Sequence, residues 1–288
     1  MSIQLRGVSF TYLAGTPFEK TAIKDINLEI RQGEVIGIIG HTGSGKSTLV
    51  QHLNGLLEPT RGEVLIDGVK LDKSKEAKVA RRKVGMVFQY PEQQLFEETV
   101  YDDIAFGPRN LGLAAEETDR RVKQAMEFVG LNFSVFSGRS PFRLSGGQMR
   151  RVAVAGVIAL EPAYLVLDEP SAGLDPRGRD EIFNQIMDLH QAAGMAVVLV
   201  SHNMEDIARM ADRLLVMHQG TVLIDGRPDQ VFTERQAELI QAGVDVPNIT
   251  TVLRRLRRAG LNVDDRIITP PEACEAILTA LEGRRHAK

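Results

Sequence analysis

The stretch Gly40–Thr48, GHTGSGKST, carries the densest chemistry in the chain. Its Gly40-x-x-x-x-Gly45-Lys46-Ser47 spacing is that of a phosphate loop. Glycines at 40, 43 and 45 free the backbone to wrap N–H groups around phosphate oxygens, with His41, Thr42, Ser44 and Thr48 completing the loop. Lys46 is placed to reach the β and γ phosphates and Ser47 to ligate Mg²⁺. A second constellation, YLVLDEP, ends an apolar run on paired acids. Asp168 at the strand end can hold the metal. Strand alternation is expected to point Glu169 the other way, free to act on water. Paired acids at a strand end also make plain solvated turns, a reading that the phosphate loop upstream disfavours.

Single polar residues close two other apolar runs, Gln89 after VGMVF and His202 after VVLVS. Open α/β sheets place ligands at such carboxyl ends, although a lone strand-end histidine is more often a cap or a surface residue. Tyr12 precedes the phosphate loop, where an aromatic either stacks on adenine or packs a small β subdomain. RLSGGQMRR, Arg143 to Arg151, sets Ser145, Gly146, Gly147 and Gln148 at a turn that opens a helix. Bare amides at a helix start form an anion site, so the chain carries two.

The elements that must position these residues follow from periodicity. Ile3–Tyr12, Ile23–Ile30 and Gly62–Gly68 alternate like antiparallel strands. Glu34–Gly40, Val84–Gln89, Tyr164–Glu169, Met195–Ser201 and Arg213–His218 are short apolar runs of the buried-strand type. Helical patterns separate several of them, which predicts a parallel α/β core. Leu49, Leu53 and Leu56 are expected on one face of the helix after the phosphate loop. Met149, Val152, Gly156 and Ala159 are expected on one face of the helix after Ser145. Residues 92–161 show little strand pattern and read as a helical subdomain, with Val122, Met126 and Val129 on one helical face. The expected division is a domain at 1–237 and a helical extension at 238–288. In the extension Ile249, Val252, Leu253 and Leu256 form one apolar face, and Thr269 with Glu272 has capping-box spacing. Arg254, Arg255, Arg257 and Arg258 read as a solvated helix face.

The 288 residues are 43% apolar and 25% charged, the balance of an ordinary soluble globule. A formal net charge of -3 gives no whole-chain basic field for nucleic acid. The longest apolar stretch, Val152–Leu160, falls short of the roughly 18 residues a membrane span needs. The start, MSIQLRGVSF, lacks a signal-peptide pattern, so the expected location is cytoplasmic. Cys274 is the single cysteine; it excludes an intrachain disulfide and is expected to be a small buried apolar residue.

In this order the motifs resemble those of the ATP-binding-cassette (ABC) ATPases over roughly residues 1 to 235. The residues that carry the resemblance are Tyr12, GHTGSGKST, Gln89, LSGGQ (Leu144–Gln148), YLVLDEP, SAGLD (Ser171–Asp175) and His202. The resemblance implies a P-loop α/β fold: a RecA-like parallel core, an N-terminal antiparallel β subdomain, a helical subdomain and a C-terminal helical extension. It implies ATP and Mg²⁺ as cofactors. It also implies head-to-tail pairs, each nucleotide lying between one subunit's phosphate loop and the other's Ser-Gly-Gly helix. Glu169 would be the general base. His202 would hold the γ phosphate and orient the attacking water. Gln89 would sense metal and water, and Asp175 would act across the pair. Ser145 and Gly147 would complete the partner's site. Ser171 stands where many relatives have threonine.

Val87–Pro108, VFQYPEQQLFEETVYDDIAFGP, is similar to the ATPases of energy-coupling-factor (ECF) transporters, including the cobalt and nickel systems. The loop YLAGTPFEKTAIKDINL is similar to the A-prime type of that group's two paralogous subunits. This implies a paralogous ATPase partner, as a heterodimer or else a homodimer, and a transmembrane T component. An S component that captures a vitamin or metal ion would be an indirect partner. The implied location is peripheral, on the cytoplasmic face of the membrane. Leu95 and Phe96 among Glu92, Glu97 and Glu98 suit a groove for a coupling helix of the T component. A non-transport ABC ATPase, for example one serving iron–sulfur cluster assembly, is the competing expectation.

Overall fold

The computed structural model describes residues 1–286. Its strands are β1 (Ser2–Tyr12), β2 (Lys20–Arg31), β3 (Val35–Ile39), β4 (Arg61–Ile66), β5 (Val69–Lys70), β6 (Val84–Val87), β7 (Tyr164–Asp168), β8 (Ala196–Val200), β9 (Arg213–His218) and β10 (Thr221–Gly226). They form two sheets. A four-stranded sheet has the order β2-β1-β4-β5 and a six-stranded sheet the order β10-β9-β3-β8-β7-β6. The first is antiparallel throughout. In the second, β9, β3, β8, β7 and β6 run parallel and β10 returns antiparallel on β9.

The apolar runs of the parallel strands are continuous because both faces are covered. Val35 and Ile39 of β3 enter one apolar cluster, with Leu165, Leu167, Val197 and Leu199. Ile36 and Ile38 enter the other, with Val166, Val198 and Val200. Every residue of β3, β7 and β8 is buried. At roughly 1.5–3 kcal/mol per fully buried aliphatic side chain, these strands are the main apolar anchor of the fold.

The helices are α1 (Lys46–Leu53), α2 (Lys75–Arg81), α3 (Val100–Asn110), α4 (Ala115–Phe128), α5 (Phe133–Phe136), α6 (Gly146–Ile158), α7 (Pro176–Ala193), α8 (Met204–Met210), α9 (Pro228–Glu234), α10 (Gln236–Gln241), α11 (Asn248–Arg258) and α12 (Pro270–His286). α3 to α6 form the helical insert. Val122 and Met126 are fully buried and Val129 nearly so. α1 stops earlier than the leucine spacing predicts: Gly55 turns left-handed at φ 71°, and Leu56 lies beyond the helix, 58% exposed. Among the described residues no helix is long and apolar enough to cross a membrane.

Three features of the C-terminal region differ from expectation. Leu239, Ala242 and Val244 belong to the main apolar cluster, whereas Leu253, Leu261, Val263 and Ala273 form a small cluster of their own. Val252 faces solvent, unlike Leu253. Cys274 is exposed rather than buried, because Ala273, one position earlier, takes the inward place on α12.

Candidate active site

The carboxyl ends of β3, β6, β7 and β8 deliver, in turn, the phosphate loop, Gln89, Asp168 with Glu169, and His202. These strands lie in one parallel sheet, so their ends open on one side. A cleft of about 410 Å³ there is lined by Tyr12, the loop residues Thr42, Gly43, Gly45, Lys46, Ser47 and Thr48, and Gln89, Glu169 and His202. Lys20 and Ala22 complete it. The sequence did not single out Lys20: it pairs with Tyr12 across the β1–β2 hairpin, three residues before the start of the expected strand at Ile23.

The loop's conformation needs its glycines. Gly40 has φ 152°, and a Cβ there would meet the Met217 carbonyl oxygen at 2.4 Å and Ser44 Oγ at 2.7 Å. Gly45 has φ 105°, and a Cβ would meet the Ala22 carbonyl oxygen at 2.6 Å. The resulting turn buries Lys46, whose Nζ donates to the carbonyl oxygens of Gly40 at 2.7 Å and His41 at 3.1 Å. Burial pushes the Lys46 ammonium below its ordinary range, against the pull of the Glu169 and Asp168 carboxylates. Burial likewise raises Asp168, partly offset by a hydrogen bond from the Ser47 hydroxyl. Ser44 Oγ is buried without a hydrogen-bond partner.

Glu169 is held through both oxygens. His202 Nε2 lies 2.7 Å from Oε1, and Gln89 Nε2 donates to Oε2 at 2.8 Å. The separation of Glu169 from Asp168 does not come from strand alternation as expected. β7 ends at Asp168, and Glu169 takes a left-handed backbone, φ 52°. A non-glycine residue in that region costs about 1–3 kcal/mol, a strain found where geometry is functional.

Ser145, Gly146, Gly147 and Gln148 do not join this cleft. Ser145 caps α6 reciprocally: its Oγ accepts from Gln148 N at 3.3 Å and its own N donates to Gln148 Oε1 at 3.1 Å. Gly147 instead shares a second cleft, of about 360 Å³, with Asp175. Asp175 caps α7 by accepting from Gly178 N at 2.7 Å. Gly147 and Asp175 thus lie apart from the cleft that holds Lys46 and Glu169.

Beyond Gln89 the chain forms a 3-10 turn at Pro91–Gln94 and then α3. Leu95 is 9% exposed and packs in the main cluster, so it is no surface anchor. Phe96 is exposed and meets the exposed Phe106 edge to face, ring centroids 4.8 Å apart. Glu92 turns inward to buried Arg150, Oε2 to Nε 3.5 Å. Arg150 Nη1 also donates to the Ala172 carbonyl oxygen at 2.5 Å.

A glycine cradle around a buried lysine, with a strand-end Asp-Glu pair beside it, defines a P-loop ATPase. The chain belongs to the ABC transporter family: a family model of that description matches residues 23–172. It is 54% identical over 286 residues to a Clostridium tetani protein named energy-coupling factor transporter ATP-binding protein EcfA2, covering 99% of each chain. The Clostridium perfringens protein of that name is 53% identical, covering 98% of this chain and 99% of its own. Among solved structures, cbiO1 of C. perfringens, part of the ABC transporter complex cbiONQ, matches with a TM-score of 0.73 at 36% identity. That match covers 90% of this chain and 96% of cbiO1. The dimeric ATP-binding cassette MJ0796, bound to ADP and Pi, matches with a TM-score of 0.70 at 31% identity, covering 78% and 98%.

Proposed function

We propose that this chain is the ATP-hydrolysing motor subunit of an ECF importer. The observation that carries this reading is the separation of the two half-sites: Lys46 and Glu169 share one cleft, and Gly147 and Asp175 share another. A second cassette, facing head to tail, brings the missing half to each. The full-length similarity to proteins named as ECF transporter ATP-binding subunits supports the transport assignment over cluster assembly.

In this reading the phosphate-loop amides and Lys46 bind the β and γ phosphates. Tyr12 stacks on the base. Ser47 and Asp168, with Gln89 nearby, would hold Mg²⁺: their hard oxygens already share a hydrogen bond, and the Asp168 charge is buried with incomplete compensation. Bound there, the ion would offset charge on the phosphate oxygens. Glu169 takes the proton of the attacking water, with Gln89 and His202 fixing its carboxylate. Ser145 to Gln148 and Asp175 act on the partner's nucleotide.

The partner is a paralogous ATPase, and the pair grips a transmembrane T component, with the S component and its vitamin or metal ion beyond it. This places the chain at the cytoplasmic face of the membrane. We divide the chain near Val246, where the main cluster gives way to the small C-terminal one. The extension beyond serves pairing through exposed Val252, Leu278 and Leu281. The test is co-expression with a paralogous ATPase and a T component. The expected outcome is a membrane complex that hydrolyses ATP and drives uptake. Copurification with a soluble scaffold alone would refute the transport reading.

A further inference from the structure

His52 lies near the end of α1, fully buried. Its Nδ1 lies 2.7 Å from the Thr48 carbonyl oxygen, one turn earlier. A carbonyl only accepts, so Nδ1 carries a hydrogen. Its Nε2 is buried with no hydrogen-bond partner. Burial also pushes its pKa below the ordinary histidine value, which keeps the ring uncharged. A polar ring so placed does no evident work for the helix, since a leucine would fill the site without an orphaned nitrogen.

Its edges explain it better. Phe10 meets His52 at 5.1 Å between ring centroids and 72° between planes. Phe10 also meets Tyr12 at 4.8 Å and 88°. The Tyr12 hydroxyl then returns to Thr48 Oγ1 at 3.2 Å. Two periods close this ring of four residues. Phe10 and Tyr12 are two apart on a strand and share its face, and Thr48 and His52 are four apart on a helix and share its face. Tyr12 is the exposed member of the four, at 39%, and lines the nucleotide cleft together with Thr48. Edge-to-face contacts fix interplanar angle as well as distance. The tilt of Tyr12 is therefore set by Phe10, that of Phe10 by His52, and the whole is tied to the helix that starts at Lys46.

We propose that His52 is a positioning residue for the nucleotide base, holding the Tyr12 ring at the angle and height at which a flat aromatic base stacks. The proposal rests on the reading of Tyr12 as the base platform. It implies that His52 contributes to affinity for a nucleoside triphosphate and nothing to affinity for a triphosphate without a base.

The experiment titrates the full chain with ATP and with inorganic tripolyphosphate, each with Mg²⁺. The variants are His52→Leu, Phe10→Leu, Tyr12→Ala and the His52→Leu/Tyr12→Ala double. Tyr12→Ala is expected to weaken ATP binding about tenfold or more, the size of a lost base–aromatic stack. His52→Leu and Phe10→Leu should each weaken it about three- to tenfold, and the double variant no more than Tyr12→Ala, because the residues act as one unit. Tripolyphosphate affinity should hold in all four. In hydrolysis by the paired ATPases, KM for ATP should rise while kcat stays. If His52→Leu leaves ATP affinity at wild type while Tyr12→Ala lowers it, the positioning role is refuted and the platform survives. Equal losses for ATP and tripolyphosphate would show a role in the phosphate-loop helix instead. Unchanged ATP affinity in Tyr12→Ala would overturn the platform reading itself. Phe10 is only half-buried, so its variant answers the question even if His52→Leu does not fold.

Discussion

Glu169 and His202 stand at the ends of neighbouring parallel strands, and the His202 Nε2 lies 2.7 Å from Glu169 Oε1. Gln89 holds the other oxygen from the strand on the far side of β7. The carboxylate is thus gripped from both flanks, in a backbone conformation that keeps it off the strand axis.

Glu169→Gln should lower hydrolysis about 10²- to 10⁴-fold, the range for a positioned acid–base group. ATP binding should survive, since Lys46 keeps its carbonyl partners Gly40 and His41. Phosphate release by the paired ATPases measures the first and direct titration the second. Turnover at the wild-type level would remove Glu169 from the role of base.

Asp168→Asn should stabilise the nucleotide-free chain near neutral pH. Burial raises the folded-state pKa of Asp168 above 3.8, so the folded chain binds this proton more tightly than the unfolded chain. The resulting stability is present below the unfolded pKa and lost as pH rises through the folded one. Asparagine never ionises, so the gain in thermal midpoint over wild type should shrink as pH falls through the carboxylate range. A midpoint difference independent of pH would contradict the burial argument. Mg²⁺-dependent hydrolysis should fall in the same variant.

Ser145→Arg should block hydrolysis at the partner's nucleotide and leave this chain's own ATP affinity within about twofold, because distant sites behave additively. Loss of the Ser145 cap on α6 should cost about 0.5–2 kcal/mol, measurable by denaturant unfolding. A folded variant that loses its own ATP in direct titration would mean that the turn serves its own nucleotide.

Replacing Phe96 and Phe106 by alanine should weaken capture of the membrane complex by about 2 kcal/mol or more, the scale of an aromatic hot spot. ATP binding by the isolated chain should not change. Leu95→Ala should act differently, destabilising the fold through its buried position. Undiminished pull-down with both ATPases carrying the double substitution would show that the transporter is held elsewhere.

Most of this site was legible because its chemistry sits at strand ends, and buried strands announce themselves as apolar runs. Lys46, Asp168, Gln89 and His202 each follow such a run by simple count. The departures share a cause: they depend on where the chain turns rather than on what it contains. Nothing in YLVLDEP shows that Glu169 takes a left-handed backbone. PEQQLF presents Leu95 and Phe96 as neighbours of similar character, and only the turn before α3 sends one inward and leaves the other out. β10 escaped because only Ile224 in Thr221–Gly226 is buried, so the segment lacks the long apolar run of the other strands. His52 could not be singled out at all, because its meaning lies in the crossing of a strand face with a helix face.

The exposed cysteine of α12 has a practical use. Cys274, Leu278 and Leu281 are spaced to share one stripe of that helix, and all three are exposed. As the sole thiol in the chain, Cys274 accepts one maleimide dye with no engineering. An environment-sensitive fluorophore there would sit on the stripe assigned to subunit pairing. Its emission would brighten and shift to the blue as a second ATPase covers it, giving assembly a real-time optical readout independent of nucleotide turnover.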